Sequence, residues 1–174
     1  PYFFSWRNVR NILNQSAIYL VISIGMTLVI SAGQIDLSVG SVIGFTGMIM
    51  GMLCVNGAEP WFAIVAGLLS SFLIGLLNGV LVAYGKMNSF IVTLSTMTIA
   101  RGIILILTNS QSVFGFGTAF TFIGSGEVGP VNMPIVISLV VAVIGAVLLH
   151  KTTFGNYCLF VGANEVALNR SGVN

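Results

Sequence analysis

The chain has 174 residues, 56% of them hydrophobic and only 6% charged, with a mean hydropathy of +1.05. A soluble domain carries roughly 25% charged residues, so this chain lacks the polar surface to stand alone in water. Six basic and four acidic residues leave a net charge of +2, too small to address nucleic acid, and the lone pair Cys54 and Cys158 implies neither a disulfide framework nor a metal site.

Apolar runs of about 17 or more residues recur, each long enough to cross ~30 Å of hydrocarbon. They predict an all-α polytopic membrane protein, with residues 1–174 forming one transmembrane domain and no resident cofactor. Five membrane segments follow from the runs, at 16–32, 38–55, 61–84, 90–108 and 133–149, ahead of a more polar stretch at 150–174. The chain starts at Pro1 without a signal-peptide pattern and stops at Asn174 without a terminating feature, so it reads as a piece of a longer protein.

Between the first two segments lies Gly33-Gln34-Ile35-Asp36-Leu37-Ser38-Val39-Gly40-Ser41. It sets a carboxylate, hydroxyls and glycines inside an otherwise continuous apolar stretch. Such a break is tolerated at membrane depth only where protein or a water-filled cavity surrounds the freed backbone. Asp36 there is either a cap for the following helix, with Ser38 as a competing cap, or part of a polar path.

The second and third segments are joined by Asn56-Gly57-Ala58-Glu59-Pro60, and Trp61 and Phe62 fit an interfacial aromatic belt. The third segment places Gly67, Ser71, Gly75, Gly79 and Ala83 four residues apart, a small-residue face suited to close packing within one bundle. The second segment repeats the device with Gly40/Gly44 and Gly47/Gly51. Asn78 lies on the third segment, where a buried amide hydrogen-bonds a neighbouring helix. Gly85 suits that segment's C-terminus, and Asn88 or Ser89 can cap the next.

The fourth segment is the most polar, with Thr93, Ser95, Thr96, Thr98 and Arg101. Arg101 falls about 16 Å from the segment's start, where an Arg costs about 2.5–3.5 kcal/mol even on mild insertion scales. It must face a partner or a cavity. The loop 109–131 holds Phe114, Phe116, Phe120 and Phe122 among small and polar residues, as a lipid-facing, half-inserted or protein-docking segment. His150 and Lys151 mark a membrane end. The stretch 162–172 predicts a short capped helix, with Asn164 as N-cap, Glu165 in its first turn, Arg170 in its last and Gly172 at C′. The distribution of Lys and Arg between the two sides is close to balanced, so charge alone does not orient the chain.

Four spaced motifs carry a family resemblance. Ile35-Asp36-Leu37-Ser38-Val39-Gly40-Ser41, the pair Asn78-Gly79, and Ser89-Phe90-Ile91-Val92-Thr93-Leu94 followed by Arg101-Gly102 are three of them. The fourth is Thr153-Phe154-Gly155 with Gly162, Asn164, Glu165, Ala167 and Gly172. Together they resemble the permease subunits of bacterial ABC importers for ribose, xylose, galactose and related sugars. Gln34 and Ser89 stand where a glycine and a proline are usual, and Asn156 and Leu168 replace a common arginine and alanine.

The resemblance implies part of an ABC importer transmembrane helix bundle in the bacterial inner membrane, lacking an N-terminal span and several C-terminal spans. It implies sugar transport by alternating access, with Asp36, Ser38, Asn78, Thr93 and Arg101 as candidates for the translocation path or its gate. Gly162, Asn164, Glu165, Ala167 and Gly172 become candidates for coupling to the ATPase, with 150–174 cytoplasmic. The implied partners are an ATP-binding subunit, a periplasmic sugar-binding protein, a second permease copy and membrane lipid. The chain has no Gly-x4-Gly-Lys-Ser/Thr phosphate loop, so it is expected to be no enzyme itself. A secondary transporter with broken helices is the alternative, but a self-sufficient carrier has no use for the C-terminal docking helix. A membrane enzyme would need converging His, carboxylate or Cys groups, which this sequence does not supply.

Overall fold

A computed structural model describes residues 3–129 and 131–173. The helices are α1 (Trp6–Ser31), α2 (Val39–Val55), α3 (Pro60–Ala83), α4 (Ser89–Thr108), α5 (Thr118–Ser125), α6 (Met133–Lys151) and α7 (Thr153–Arg170). A two-residue antiparallel pairing of β1 (Glu127–Val128) with β2 (Val131–Asn132) interrupts the all-α pattern between α5 and α6. Helices α1, α3, α4 and α6 are long and apolar enough to cross a membrane, and α2, at 17 residues, is a shorter apolar helix. The chain divides into two compact units, Pro1–Gln34 with Phe122–Asn174, and Ile35–Thr121.

In the first unit α1 packs on α6 and α7. The first segment, expected from residue 16, begins ten residues earlier as a helix. Ser5 caps it by accepting the Asn8 N–H at 3.3 Å. Hydropathy marks what is apolar, not what is helical, so the polar first turns were invisible to it. At ~1.5 Å per residue the 26 residues of α1 extend about 39 Å, which exceeds ~30 Å of hydrocarbon. Arg10, in those turns, pairs with Glu127 of β1 at 2.9 Å. Further along, Gly145 of α6 sits against Ile24 of α1, where its missing side chain lets the helices close up.

The second unit is built by α2, α3 and α4, each in contact with the other two. Pro60 opens α3 at its first position, where its missing N–H costs nothing. Asn88 rather than Ser89 caps α4, accepting the Phe90 N–H at 2.9 Å. At the end of α3 the left-handed residue is Lys86, with φ 52°, and not Gly85.

The small-residue face of α3 packs only in part. Ala63 and Gly67 are buried, and Gly67 lies against the Met50 side chain of α2. Gly75 and Gly79 meet nothing within 4 Å among the described residues. An α-helix advances 100° per residue, so a strict four-residue repeat winds off the contact line, which continues through Ile74 and Asn78 instead. On α2, Gly44 touches Ile104 and Gly51 receives the Phe116 ring, whereas Gly40 and Gly47 are open. Phe116 therefore packs onto protein, with Phe120 beside it at a centroid distance of 5.5 Å. Phe114 and Phe122 stay exposed.

Candidate functional site

The segment between α1 and α2 is unwound, and its backbone groups find partners one by one. Gly33 N–H and Gln34 N–H close the end of α1 on the carbonyls of Ile30 and Val29. Ile35 N–H donates to Ser89 Oγ at 3.4 Å and Leu37 N–H to Thr93 Oγ1 at 3.1 Å, both on α4. Ser38 N–H donates to Asp36 Oδ1 at 2.7 Å. Side chains of α4 thus replace the intrahelical carbonyls that a continuous helix would have supplied, which is what a break in an apolar bundle requires. Ser89, at a position where a proline would have no such hydroxyl, serves as one of these acceptors.

Asp36 is half-buried and its Oδ1 also accepts the Ser38 hydroxyl at 2.6 Å. The carboxylate caps the turn entering α2 rather than the first helical amides, and Ser38, the N-cap residue, makes no side-chain cap bond of its own. From Ser38 the bonds continue inward. Asn78 Nδ2 of α3 donates to Ser38 Oγ at 3.2 Å, and Thr96 of α4 donates its hydroxyl to Asn78 Oδ1 at 2.6 Å. Thr96, Asn78 and Ser38 all point their donors toward Asp36, so each bond polarises the next toward its carboxyl group. Ser38 and Asn78 in this chain are buried, at 1% and 6% exposure, and Thr93, which holds the Leu37 N–H beside it, is buried at 4%, which makes this region the polar centre of the unit.

Arg101 lies two turns along α4 from Thr93 and outside this network. Its Nε donates to Ser41 Oγ of α2 at 3.2 Å, and Ser41 is buried while the Arg101 side chain is exposed. The structure therefore brings Asp36, Ser38, Asn78 and Thr93 together and leaves Arg101 on a separate α2–α4 contact. Ser41, Ser89 and Thr96 complete the two arrangements without having been singled out as site residues. The signal for two of them was spacing: Ser41 follows Ser38, and Thr96 follows Thr93, at the three-residue step that keeps side chains on one helix face.

The coupling candidates sit on α7. That helix runs from Thr153 but is broken at Asn164, whose φ −164° and ψ 92° are extended. Asn164 Oδ1 accepts the Ala167 N–H at 3.0 Å, so the expected N-cap is present and a second short helix starts there. Ser171 caps its end and Gly172, with φ +83°, takes the left-handed C′ position. The preceding helix, 153–163, was not anticipated. Its Thr152 cap accepts the Gly155 N–H at 3.3 Å. On one side of the kink an open groove is lined by Phe160, Ala163, Asn164, Ala167 and Ser171. Glu165 and Gly162 flank the break.

Several membrane-length apolar helices, with an unwound polar segment after the first of them and a capped helix near the C-terminal end, define a multi-pass membrane protein. Residues 8–174 match the family described as the permease component of the branched-chain amino acid transport system, and the chain belongs to that family. It is similar to the ribose import permease protein of Bacillus subtilis, with 39% identity over 99% of this chain and 54% of the relative. The D-allose transport system permease protein of Escherichia coli K12 is 32% identical over 99% of this chain and 53% of its own length. The L-arabinose ABC transporter permease protein of Azospirillum brasilense is 34% identical over 99% and 51%. The chain thus spans about half the length of the curated relatives it matches. No solved structure matches it.

Proposed function

We propose that the chain is part of the membrane-spanning permease subunit of an ATP-driven importer in the bacterial inner membrane, and that its cargo is a monosaccharide. The observation that carries this reading is identity to sugar permeases along nearly the whole chain, up to 39% for the ribose permease of B. subtilis. The family description speaks of amino acids, but the relatives named above are sugar permeases. A separate ATP-binding subunit hydrolyses ATP, an extracytoplasmic binding protein delivers the sugar, and two permease copies enclose the path.

In this reading the unwound segment and its bonds to α3 and α4 form the gate region. Asp36, Ser38, Asn78 and Thr93 hold the segment, and Arg101, exposed beside α2, faces the path. A neutral polyol needs hydroxyl and guanidinium partners rather than a full counter-charge, which suits these side chains. The kinked end of α7 lies on the cytoplasmic side, with Lys86, and the loop 109–131 lies outside. Gly162, Asn164, Glu165, Ala167 and Gly172 form or flank the helix that docks on the ATPase.

The test is reconstitution of the full-length permease with its ATP-binding and binding-protein partners in proteoliposomes. ATP-dependent uptake of labelled ribose or a related pentose or hexose is expected, with none for leucine. Leucine uptake without sugar uptake would overturn the cargo assignment. Ala167→Glu should leave insertion intact and prevent co-purification of the ATPase, because the small side chain at the groove allows close approach. Normal co-purification and uptake in that variant would remove the docking role.

A further inference from the structure

We infer that Gly33 and Gly162 form a rigid backbone joint through which movement of the 164–170 helix reaches the unwound segment before α2. The inference rests on the coupling reading of α7 given above and adds the route by which that coupling leaves the helix. Both residues belong to the unit made by α1, α6 and α7.

At the end of α1 the chain turns through Gly33 with φ +73°, a conformation L side chains rarely adopt. The turn is fixed by two bonds, Gly33 N–H to the Ile30 carbonyl at 2.9 Å and Gln34 N–H to the Val29 carbonyl at 3.1 Å. This is a Schellman end, with Gly33 at C′. The backbone of Gly162 lies directly on it. A Cβ built on Gly33 would stand 3.4 Å from Gly162 Cα, and one built on Gly162 would collide with the carbonyl oxygen of Ser31. Main chain therefore meets main chain, with no side chain between them.

The place of this contact gives it consequence. Gly162 precedes Asn164, the residue that breaks α7 and caps the short helix after it. Gly33 precedes Asp36 by three residues in the same unwound stretch. Two helix breaks, one at the end of α1 and one within α7, are in contact through their glycines. A contact made by side chains absorbs small displacements by rotamer changes, whereas close-packed main chain has no such slack and passes them on. A tilt of the 164–170 helix levers on Gly162, and the C-terminal turn of α1 must follow. The covalent chain then carries that motion into residues 34–38. Gly33 and Gly162 are positioning residues that touch no cargo.

The experiment uses the full-length permease in complex with its ATPase and reads amide exchange with and without a trapping ATP analogue. In the wild-type complex, amides of 163–167 and of 31–37 should change protection together. In Gly162→Ala the response at 31–37 should be lost, and uptake should fall by about tenfold, the scale of a typical coupling between sites. A wild-type response at 163–167 with none at 31–37 would overturn the joint, as would wild-type uptake by Gly162→Ala. If Gly162→Ala fails to fold, the wild-type exchange result alone decides. No response at 163–167 in a wild-type complex that retains its ATPase would sink the coupling reading itself, and the joint with it.

Discussion

Asn78 and Ser38 lie 40 residues apart in the chain and are joined by a 3.2 Å bond from the amide of one to the hydroxyl of the other. That bond ties α3 to the start of α2, and the Thr96 hydroxyl on the far side of the same amide ties in α4. One side chain thus links all three helices of its unit. Asp36 receives the far end of the chain of bonds, so the carboxylate and the helix packing are one structural feature.

Asn78→Leu should therefore destabilise this unit more than a surface change would. Interhelical bonds in membranes average about 0.6 kcal/mol and reach about 1.7, so loss of two predicts about 1–3 kcal/mol. Unfolding of the full-length permease in mixed detergent micelles measures it. An unchanged midpoint would mean the bonds are replaced by water.

Arg101 provides a test that separates insertion from transport. Arg101→Leu removes a residue that costs about 2.5–3.5 kcal/mol at mid-depth, so membrane insertion should improve or hold. Uptake should fall by tenfold or so, because about 1.4 kcal/mol of lost interaction in the path is a tenfold change. Arg101→Lys should retain part of it, and Ser41→Ala should have the smaller effect of loosening an exposed guanidinium. Full uptake by Arg101→Leu at equal expression would exclude a transport role.

Asn164 caps a helix too short to persist alone, since isolated helices below ~12 residues are marginal in water. Asn164→Ala should cost about 1 kcal/mol and raise amide exchange across 165–170 about fivefold. Exchange in the 153–163 helix should not change, because it is capped separately by Thr152.

Gly67 offers a graded packing test. Gly67→Ala pushes against the Met50 side chain, Cγ included, so Met50 must change rotamer to make room. Gly67→Leu should overfill the α2–α3 contact and destabilise by about 1–3 kcal/mol. Equal midpoints for the two variants would show that the contact is loose.

Much of the architecture was legible in the residues. Four of the five segment edges at the N-terminal side fell close to the observed helices, because 17 or more apolar residues have few stable arrangements other than a helix in lipid. The cap at Asn164 and the C′ glycine at 172 were equally legible, since each follows from local hydrogen-bonding chemistry within a few residues, whereas Asn88 and Ser89 were both open as the cap of α4. The start of α1 was not, as amphipathic polar turns carry little hydropathy signal. Gly85 does follow the C-cap of α3, but the left-handed turn falls one residue later, at Lys86, which composition does not resolve.

Residue type and short-range spacing are enough to establish a multi-span helical protein with a polar break at Asp36, a buried amide at Asn78 and a capped helix near its C-terminal end. Those properties depend on residue type and on spacing within a turn or two. Which polar groups meet is set by the packing of whole helices: Asn78 bonds Ser38 and Thr96, Arg101 turns to Ser41 instead of joining them, and Gly162 rests on the end of α1. Periodicity fixes the face on which a residue lies, but a partner 40 or 60 residues away is chosen by the rotation and crossing of whole helices.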